Sequence, residues 1–311
     1  MNGGFMQDLF NELADAVGSD HIWKDEMMKK HTTFRIGGPA DIFAAPETEE
    51  GIRAVQRLCR EYQVPLYVIG NGSNLLVSDR GIRGVVMQLF KNYSGVSAKE
   101  DTITAKSGIL LSALARRALT HSLSGLEFAS GIPGTLGGAA VMNAGAYGGE
   151  MKDVIQKVRV LTSEGEILTL GIEELEMGYR TSIIAKRNYL VLEAELHLQK
   201  GDSAQILQRM EELKEQRVSK QPLELPSAGS TFKRPEGYFA GKLIMDAGLR
   251  GFTCGGAQVS EKHCGFVVNR NQATAEDVRR LISEVRQIVF EKYGVMLEPE
   301  VKMVGEFETG I

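Results

Sequence analysis

Cysteine is scarce: Cys59, Cys254 and Cys264 are the only ones, an odd number at irregular spacing. That excludes a disulfide framework and fits a reducing compartment. His263-Cys264 follows Cys254 by ten residues, but a structural zinc centre normally takes four ligands and at most three cluster here, so ordinary thiols are the better reading. Long apolar runs are missing as well. Nothing approaches the roughly 18 apolar residues of a membrane span, and the start, MNGGFMQDLFNEL, has no basic residues leading into an apolar stretch. The expectation is a cytoplasmic protein with no membrane partner. There is no block of Lys and Arg interleaved with aromatics, and the formal net charge is -4. A nucleic-acid footprint is therefore absent, and an acidic substrate would need locally placed basic residues.

Glycine, in contrast, is in excess. Its 35 residues exceed the roughly 7% of average usage and they cluster, which suggests loops where backbone approaches something closely. The hydrophobic share of 43% and charged share of 24% are ordinary, and 311 residues favour two or three packed domains.

Along the chain, Thr48 to Tyr62 reads as a helix, with Thr48 as cap, acids in the first turn and Ile52, Val55, Leu58, Cys59 and Tyr62 at helical spacing. LYVIG, ending at Gly70, and GVVMQL at 84 to 89 read as strands, which makes an α/β module. A second module follows: TITAKSG as strand, LSALARRALTHSL as helix, a Gly-rich stretch, two strands around a Ser-Glu-Gly turn in VIQKVRVLTSEGEILTL, and an alternating strand at 189 to 198. After GDSAQILQRMEELKEQRVSKQP the texture changes, with Pro222, Pro226 and Pro235 bracketing a loop, so a domain boundary is expected near 200 to 205. A last helix runs from about 275 to 293, capped by Thr274, burying Val278, Leu281, Ile282, Val285, Ile288 and Val289, and stopped by Gly294. The strand-like LEPEVKMVG comes after it.

Two glycine constellations carry the chemistry. Gly70-Asn71-Gly72-Ser73-Asn74 begins like a dinucleotide fingerprint, but Leu75 replaces the third Gly and LLVSD reads as a strand where that fingerprint opens a helix. Glycines at 70 and 72 with positive φ would expose successive N–H groups, an anion nest that fits a pyrophosphate; a plain tight turn is the alternative. The second runs from Ser130-Gly131-Ile132-Pro133-Gly134-Thr135-Leu136-Gly137-Gly138 to Asn143-Ala144-Gly145-Ala146-Tyr147-Gly148-Gly149. Its seven glycines leave backbone uncovered, a cost in folding entropy that a flat ring system held by backbone contacts would offset; close helix–sheet packing is the alternative.

Together the two segments resemble the FAD-binding lobes of the vanillyl-alcohol-oxidase (PCMH) type of flavoprotein fold. TTFRIGG at 32 to 38, IGNGSNLLVSD at 69 to 79, residues 128 to 149, Tyr179-Arg180-Thr181-Ser182, Pro226-Ser227-Ala228-Gly229-Ser230-Thr231-Phe232-Lys233 and Leu297-Glu298-Pro299-Glu300-Val301 occur in an order that resembles the UDP-N-acetylenolpyruvoylglucosamine reductase family, across nearly the whole chain. The resemblance implies a mixed α+β and α/β fold. Its parts would be an N-terminal helical segment at 1 to 30, FAD-binding lobes at 31 to 98 and 99 to 202, and an α+β substrate-binding domain at 203 to 311 whose last strand returns to the active site.

It also implies non-covalent FAD, NADPH as co-substrate, and reduction of an enolpyruvyl ether of UDP-N-acetylglucosamine in peptidoglycan precursor synthesis by a cytoplasmic monomer. FAD would be held by residues 70 to 75, Ser130 to Thr135, Gly137, Gly138 and Asn143 to Tyr147. Arg180 would face the substrate carboxylate, with Glu300 as the acid beside it and Ser230 as proton donor; Glu298 is the weaker claimant. Tyr179, Lys220, Lys233 and Lys302 would bind substrate. Arg234 stands where the family usually has Asn, and Lys302 where one branch has Arg, which leaves the diphosphate contacts open. The short interval from Arg180 to Ser230 resembles the branch without an inserted tyrosine-bearing loop.

The chemistry needs such residues whatever the family. Hydride addition to one alkene carbon pushes charge through the other onto the carboxylate, where a fixed cation and an acidic donor lower the barrier. Arg grips a planar carboxylate by two contacts, and a positioned hydroxyl can deliver the proton. Two rivals are an alcohol or sugar oxidase of the same fold and a non-catalytic nucleotide-binding regulator. Such oxidases often tether FAD through His or Cys, and all five histidines lie outside both Gly-rich segments; the regulator has no need of Arg180, Ser230 and Glu300 together.

Overall fold

The computed structural model describes residues 3–307. Its contacts divide the chain into two compact units. The first holds the described residues up to Trp23, Ile42–Asn71 and Gly84–Arg217; the second holds Lys24–Asp41, Gly72–Arg83 and the described residues from Val218 onward.

In the first unit, the helix Glu49–Glu61 forms where expected. Thr48 accepts a hydrogen bond from the Gly51 N–H at 3.0 Å, and Ile52, Val55, Leu58 and Cys59 are buried against Leu9 and Leu13 of the helix Gly3–Val17. Tyr62 is half-buried, its hydroxyl donating to Glu12 at 2.6 Å. The expected helical segment to residue 30 is corrected: the helix ends at Val17, Gly18 turns the chain at φ 89°, and Ile22–Met27 is a strand. Leu66–Ile69 pairs in parallel with Ile82–Gln88. A five-stranded antiparallel sheet follows, in the order Ile167–Gly171, Ile155–Leu161, Leu190–His197, Thr102–Lys106, Val96–Lys99. Its core takes in the helix Leu111–Thr120 and a short helix, Leu136–Met142, which forms inside the Gly-rich stretch. The helix Ser203–Lys220 begins at the expected break near 200 to 205, while the first unit's contacts continue to Arg217.

The second unit is built around the helix Ala275–Tyr293 and a three-stranded antiparallel sheet, Thr253–Cys254, Ala257–Val259 and Val267–Asn269. Thr274 and Asp277 form a capping box, and Gly294 closes the helix in the left-handed region. Ile288 is half-buried; the other five expected core residues are buried. Phe34, Ile36 and Leu76 join this core from distant parts of the chain. Asp79 accepts from the N–H groups of Ala275 and Glu276 at 2.9 and 3.2 Å, so the 72–83 stretch supplies a second cap to that helix. The strand Leu75–Val77 pairs in parallel with Lys302–Val304. Among the described residues no helix is long and apolar enough to cross a membrane.

Candidate functional site

Within the first unit, Gly70 and Asn71 lie against the second glycine segment. Asn71 Nδ2 donates to the Pro133 carbonyl at 2.6 Å, and a Cβ on Gly70 would collide with Thr135 Oγ1. Gly70 does not take positive φ; only Gly72 does, at 60°. The expectation of two left-handed glycines is therefore corrected, and Gly70 is required by the close approach of Thr135 instead.

Thr135 Oγ1 caps the helix Leu136–Met142, accepting from Gly138 N at 3.4 Å. In the second glycine segment some glycines are close-packed and others are open. A Cβ on Gly137 would stand 2.8 Å from Ser107 Cβ, and one on Gly149 would meet the Phe128 ring at 2.7 Å, which is close packing. At Gly138 a Cβ would meet only Thr135 Oγ1, at 3.6 Å, and at Gly148 nothing within 4 Å. Those two leave backbone uncovered. Ser107 Oγ, beneath Gly137, is buried and, among the described residues, has no hydrogen-bond partner. An open backbone surface beside an unsatisfied hydroxyl is what a bound ligand would complete, so these residues fit FAD. Around them, Ser130 Oγ donates to the Glu127 carbonyl at 2.8 Å, Gly134 O accepts from Leu111 N at 3.0 Å, and Gly131 and Ile132 begin the stretch.

Asn143 ends the short helix at φ 46° and is buried. Its amide donates to Glu150 at 2.7 Å and to the Gly178 carbonyl at 3.1 Å, and accepts from Lys152 N at 2.9 Å. The side chain is thus engaged in positioning. Its Gly178 contact fixes the turn that carries Tyr179 and Arg180, closed by mutual hydrogen bonds between Gly178 and Thr181 at 3.1 and 3.3 Å. Arg180 sits in this turn at φ 56°, with its guanidinium 5.2 Å from the Tyr179 ring centroid. It is a turn residue. Ala144 is buried, and Gly145–Ala146 pairs with Gly149–Glu150 in a hairpin tipped by Tyr147 and Gly148, at φ 53° and 88°. Two positive φ values suit a type I′ turn, and a tyrosine there is an uncommon choice that points to use.

In the second unit, Gly72 follows the backbone of His31 and Thr32, and Thr33 N donates to its carbonyl at 3.2 Å. TTFRIGG thus backs the loop carrying Ser73 and Asn74; Thr33 Oγ1 also donates to Ser227 O at 2.7 Å. Asn74 Nδ2 donates to the Glu300 carbonyl at 3.2 Å, and Lys302 N to the Asn74 carbonyl at 3.0 Å, just before Leu75 enters its strand. Ser230 is exposed and follows Gly229, which takes φ 75°. Thr231 is buried; its hydroxyl accepts from Val267 N at 2.9 Å, and its carbonyl accepts from Glu300 N at 2.8 Å. The backbone therefore brings Ser230 and Glu300 onto neighbouring segments. Glu298 is ion-paired with Lys233, which engages the weaker claimant elsewhere. Lys220 and Lys302 are exposed, and Arg234 lies 4.0 Å from the Phe239 ring centroid.

Sequence reasoning missed Ser107 and Arg217. A Cβ on Gly131 would stand 2.9 Å from Arg217 Nε, and the guanidinium lies 5.7 Å from the Tyr147 ring centroid. Helix periodicity gives Arg217 no special status, because its burial arises from the approach of a glycine far away in sequence.

Residues 40–171 match the family model of an FAD binding domain, and residues 221–304 match that of the UDP-N-acetylenolpyruvoylglucosamine reductase C-terminal domain. The chain is 56% identical to the UDP-N-acetylenolpyruvoylglucosamine reductase of Lachnoclostridium phytofermentans, over 96% of this chain and 97% of that protein. With that of Clostridioides difficile it shares 54%, over 96% and 99%. The crystal structure of UDP-N-acetylenolpyruvylglucosamine reductase from Thermus caldophilus superposes with a TM-score of 0.79 at 36% identity, over 91% of this chain and 98% of that one. A 4-ethylphenol oxidase from Gulosibacter chungangensis, at 14% identity and a TM-score of 0.52 over 96% of this chain and 66% of that one, shares the fold alone. The fold is the FAD-binding type followed by a reductase C-terminal domain, and the chain belongs to the UDP-N-acetylenolpyruvoylglucosamine reductase family.

Proposed function

We propose that this protein reduces UDP-N-acetylenolpyruvoylglucosamine to UDP-N-acetylmuramate with NADPH, as a cytoplasmic monomer in peptidoglycan precursor synthesis. FAD, when bound, supplies the hydride chemistry, accepting from NADPH and donating to the enolpyruvyl double bond. The chain's own residues handle charge and protons. Arg180, pre-set in its turn, grips the substrate carboxylate, and Glu300 donates a hydrogen bond where charge develops. The Ser230 hydroxyl delivers a proton to the second alkene carbon. Tyr179, Lys220, Lys233 and Lys302 hold the substrate, with Lys233 exchanging its Glu298 partner for a phosphate oxygen. Residues 70 to 75, Ser130 to Thr135, Gly137, Gly138 and Asn143 to Tyr147 form the FAD surface. The proposal keeps lobes at 31–98 and 99–202 and a substrate domain at 203–311.

The observation that supports this most is the hydrogen bond from Glu300 N to Thr231 O, which sets Ser230 and the acid on adjoining backbone. An anaerobic experiment tests it: NADPH should bleach the bound flavin, and UDP-N-acetylenolpyruvoylglucosamine should restore its colour. Reoxidation by an alcohol or sugar oxidase's acceptor alone, oxygen, would favour the oxidase reading.

A further inference from the structure

Thr231, next to the proposed proton donor Ser230, is held at each of its polar groups. Its N–H donates to the Gly265 carbonyl at 2.8 Å, its hydroxyl accepts from Val267 N at 2.9 Å, and its carbonyl accepts from Glu300 N at 2.8 Å. Two of these partners belong to the turn at 260–267, which therefore sets the backbone that carries Ser230. The turn in its own right depends on His263. Ser260 Oγ accepts from the N–H groups of Lys262 and His263, each at 3.2 Å, and His263 Nδ1 accepts from Gly265 N at 3.1 Å. Gly265 thus joins the imidazole, through its N–H, to Thr231, through its carbonyl.

The ring is wedged in place. A Cβ on Gly265 would stand 2.9 Å from His263 Cε1 and one on Gly241 would stand 3.2 Å from it, while the Phe266 ring lies edge-on with centroids 5.1 Å apart. Two glycines make room for the imidazole, and it cannot turn without displacing backbone. Accepting at Nδ1 puts the single ring proton on Nε2 and requires the neutral form, since imidazolium carries a proton on both nitrogens and would face the Gly265 N–H donor to donor. Burial lowers the His263 pKa and so favours that neutral form. The charged groups of the surrounding segments are Glu261 and Lys262 in the turn, Arg250, Lys242 and Asp246, and, beside Thr231, Lys233, Glu298 and Glu300. Lys262 donates to the Val218 carbonyl at 2.7 Å, Arg250 to the Glu261 carbonyl, Lys242 pairs with Asp246 at 2.7 Å and Lys233 with Glu298. Among the described residues none of them moves the His263 titration, which burial dominates.

We infer that His263 is a positioning residue for substrate protonation: as a neutral imidazole it fixes Gly265 and, through it, the Thr231 backbone that aims Ser230, and its protonation releases that turn and slows proton delivery. This rests on the reading of Ser230 as proton donor. His263 makes and breaks no bond to substrate, and flavin reduction by NADPH, which involves no substrate protonation, does not depend on it.

The test follows both half-reactions of the holoprotein by stopped-flow flavin absorbance from about pH 5 to 8, in wild type, His263→Leu and His263→Asn. Leu fills the space without an acceptor. Asn offers Oδ1 to the N–H two residues on, as in an Asx turn, and does not titrate. In wild type, reoxidation by UDP-N-acetylenolpyruvoylglucosamine should fall about tenfold as pH drops through the His263 pKa, below about 6.5, with no such limb in reduction by NADPH. The Leu variant should show a loss of about tenfold in reoxidation at every pH, the scale of a proton donor shifted by part of an ångström. Asn should recover most of the neutral-pH rate and lack the acid limb. A wild-type profile without that limb, a limb that persists in the Asn variant, or a Leu variant whose two half-reactions change equally overturns the inference. If the Leu variant fails to fold, the Asn profile decides alone. A wild-type flavin that the enolpyruvyl substrate never reoxidises sinks the functional reading instead, which keeps the two failures distinct.

Discussion

Gly137 and Gly138 are neighbours in sequence, yet a methyl group would meet different things at each. At Gly137 it would press on Ser107 at 2.8 Å, so Gly137→Ala should cost about 1–3 kcal/mol of stability by overpacking. At Gly138 there is space, so Gly138→Leu should leave the denaturation midpoint nearly unchanged and instead lower FAD retention through gel filtration. Full flavin occupancy in the Leu variant would remove Gly138 from the cofactor surface. The proposed catalytic residues separate in a similar way. Ser230→Ala should be reduced by NADPH at a near-normal rate while losing roughly 10²-fold or more in flavin reoxidation by substrate, the range of a general acid; stopped-flow absorbance reads both halves. Equal slowing of both would assign Ser230 to general support. Arg180→Lys keeps the cation but loses the planar two-point grip, and steady-state kcat should fall; an unchanged kcat rejects the assignment.

The helix Ala275–Tyr293 shows how much a local pattern can specify. Thr274 Oγ1 accepts from Asp277 N at 3.0 Å and the Asp277 carboxylate accepts from Thr274 N at 3.0 Å, so the cap and the apolar spacing visible in the sequence reappear as geometry. Burial tends to raise the Asp277 pKa, but hydrogen bonds from Thr274 and Gly256 together with Arg280 hold it below its ordinary 3.8. A depressed carboxylate contributes stability above its unfolded pKa and loses it as pH falls through the folded one. Asp277→Ala should therefore cost about 1 kcal/mol at neutral pH, and the gap from wild type should close as acid denaturation curves pass below pH 3.8; a pH-independent gap would argue against the cap. Other elements were less legible. Leu136–Met142 is a helix among glycines that lower helix propensity, stabilised by its Thr135 cap and by Leu136, Ala139 and Ala140 in the core. The Arg180 turn, the Gly70 approach to Thr135 and the burial of Arg217 all depend on residues remote in sequence, which periodicity cannot report.

The motifs that resemble the family were readable along nearly the whole chain, whereas their grouping was not. Nothing local in 24–41 or 72–83 announces that these stretches pack with residues beyond Val218, since Phe34, Ile36 and Leu76 look like ordinary apolar positions until their partners are known. The parallel pairing of Leu75–Val77 with Lys302–Val304 carries this furthest, because 226 residues separate Asn74 from the Glu300 carbonyl it contacts. During translation at roughly 5–20 residues per second, the first partner waits about 10–45 seconds for the second to be made. Parallel strands so far apart also close slowly once both exist. The nascent chain therefore emerges from the ribosome with the Asn74 loop unsupported and an open strand edge beside it, a state that chaperones and proteases can reach. Asn74, in the loop proposed to hold the cofactor, and Glu300 acquire their shared hydrogen bond in one late event, so a translation stall before Glu300 leaves both unfinished.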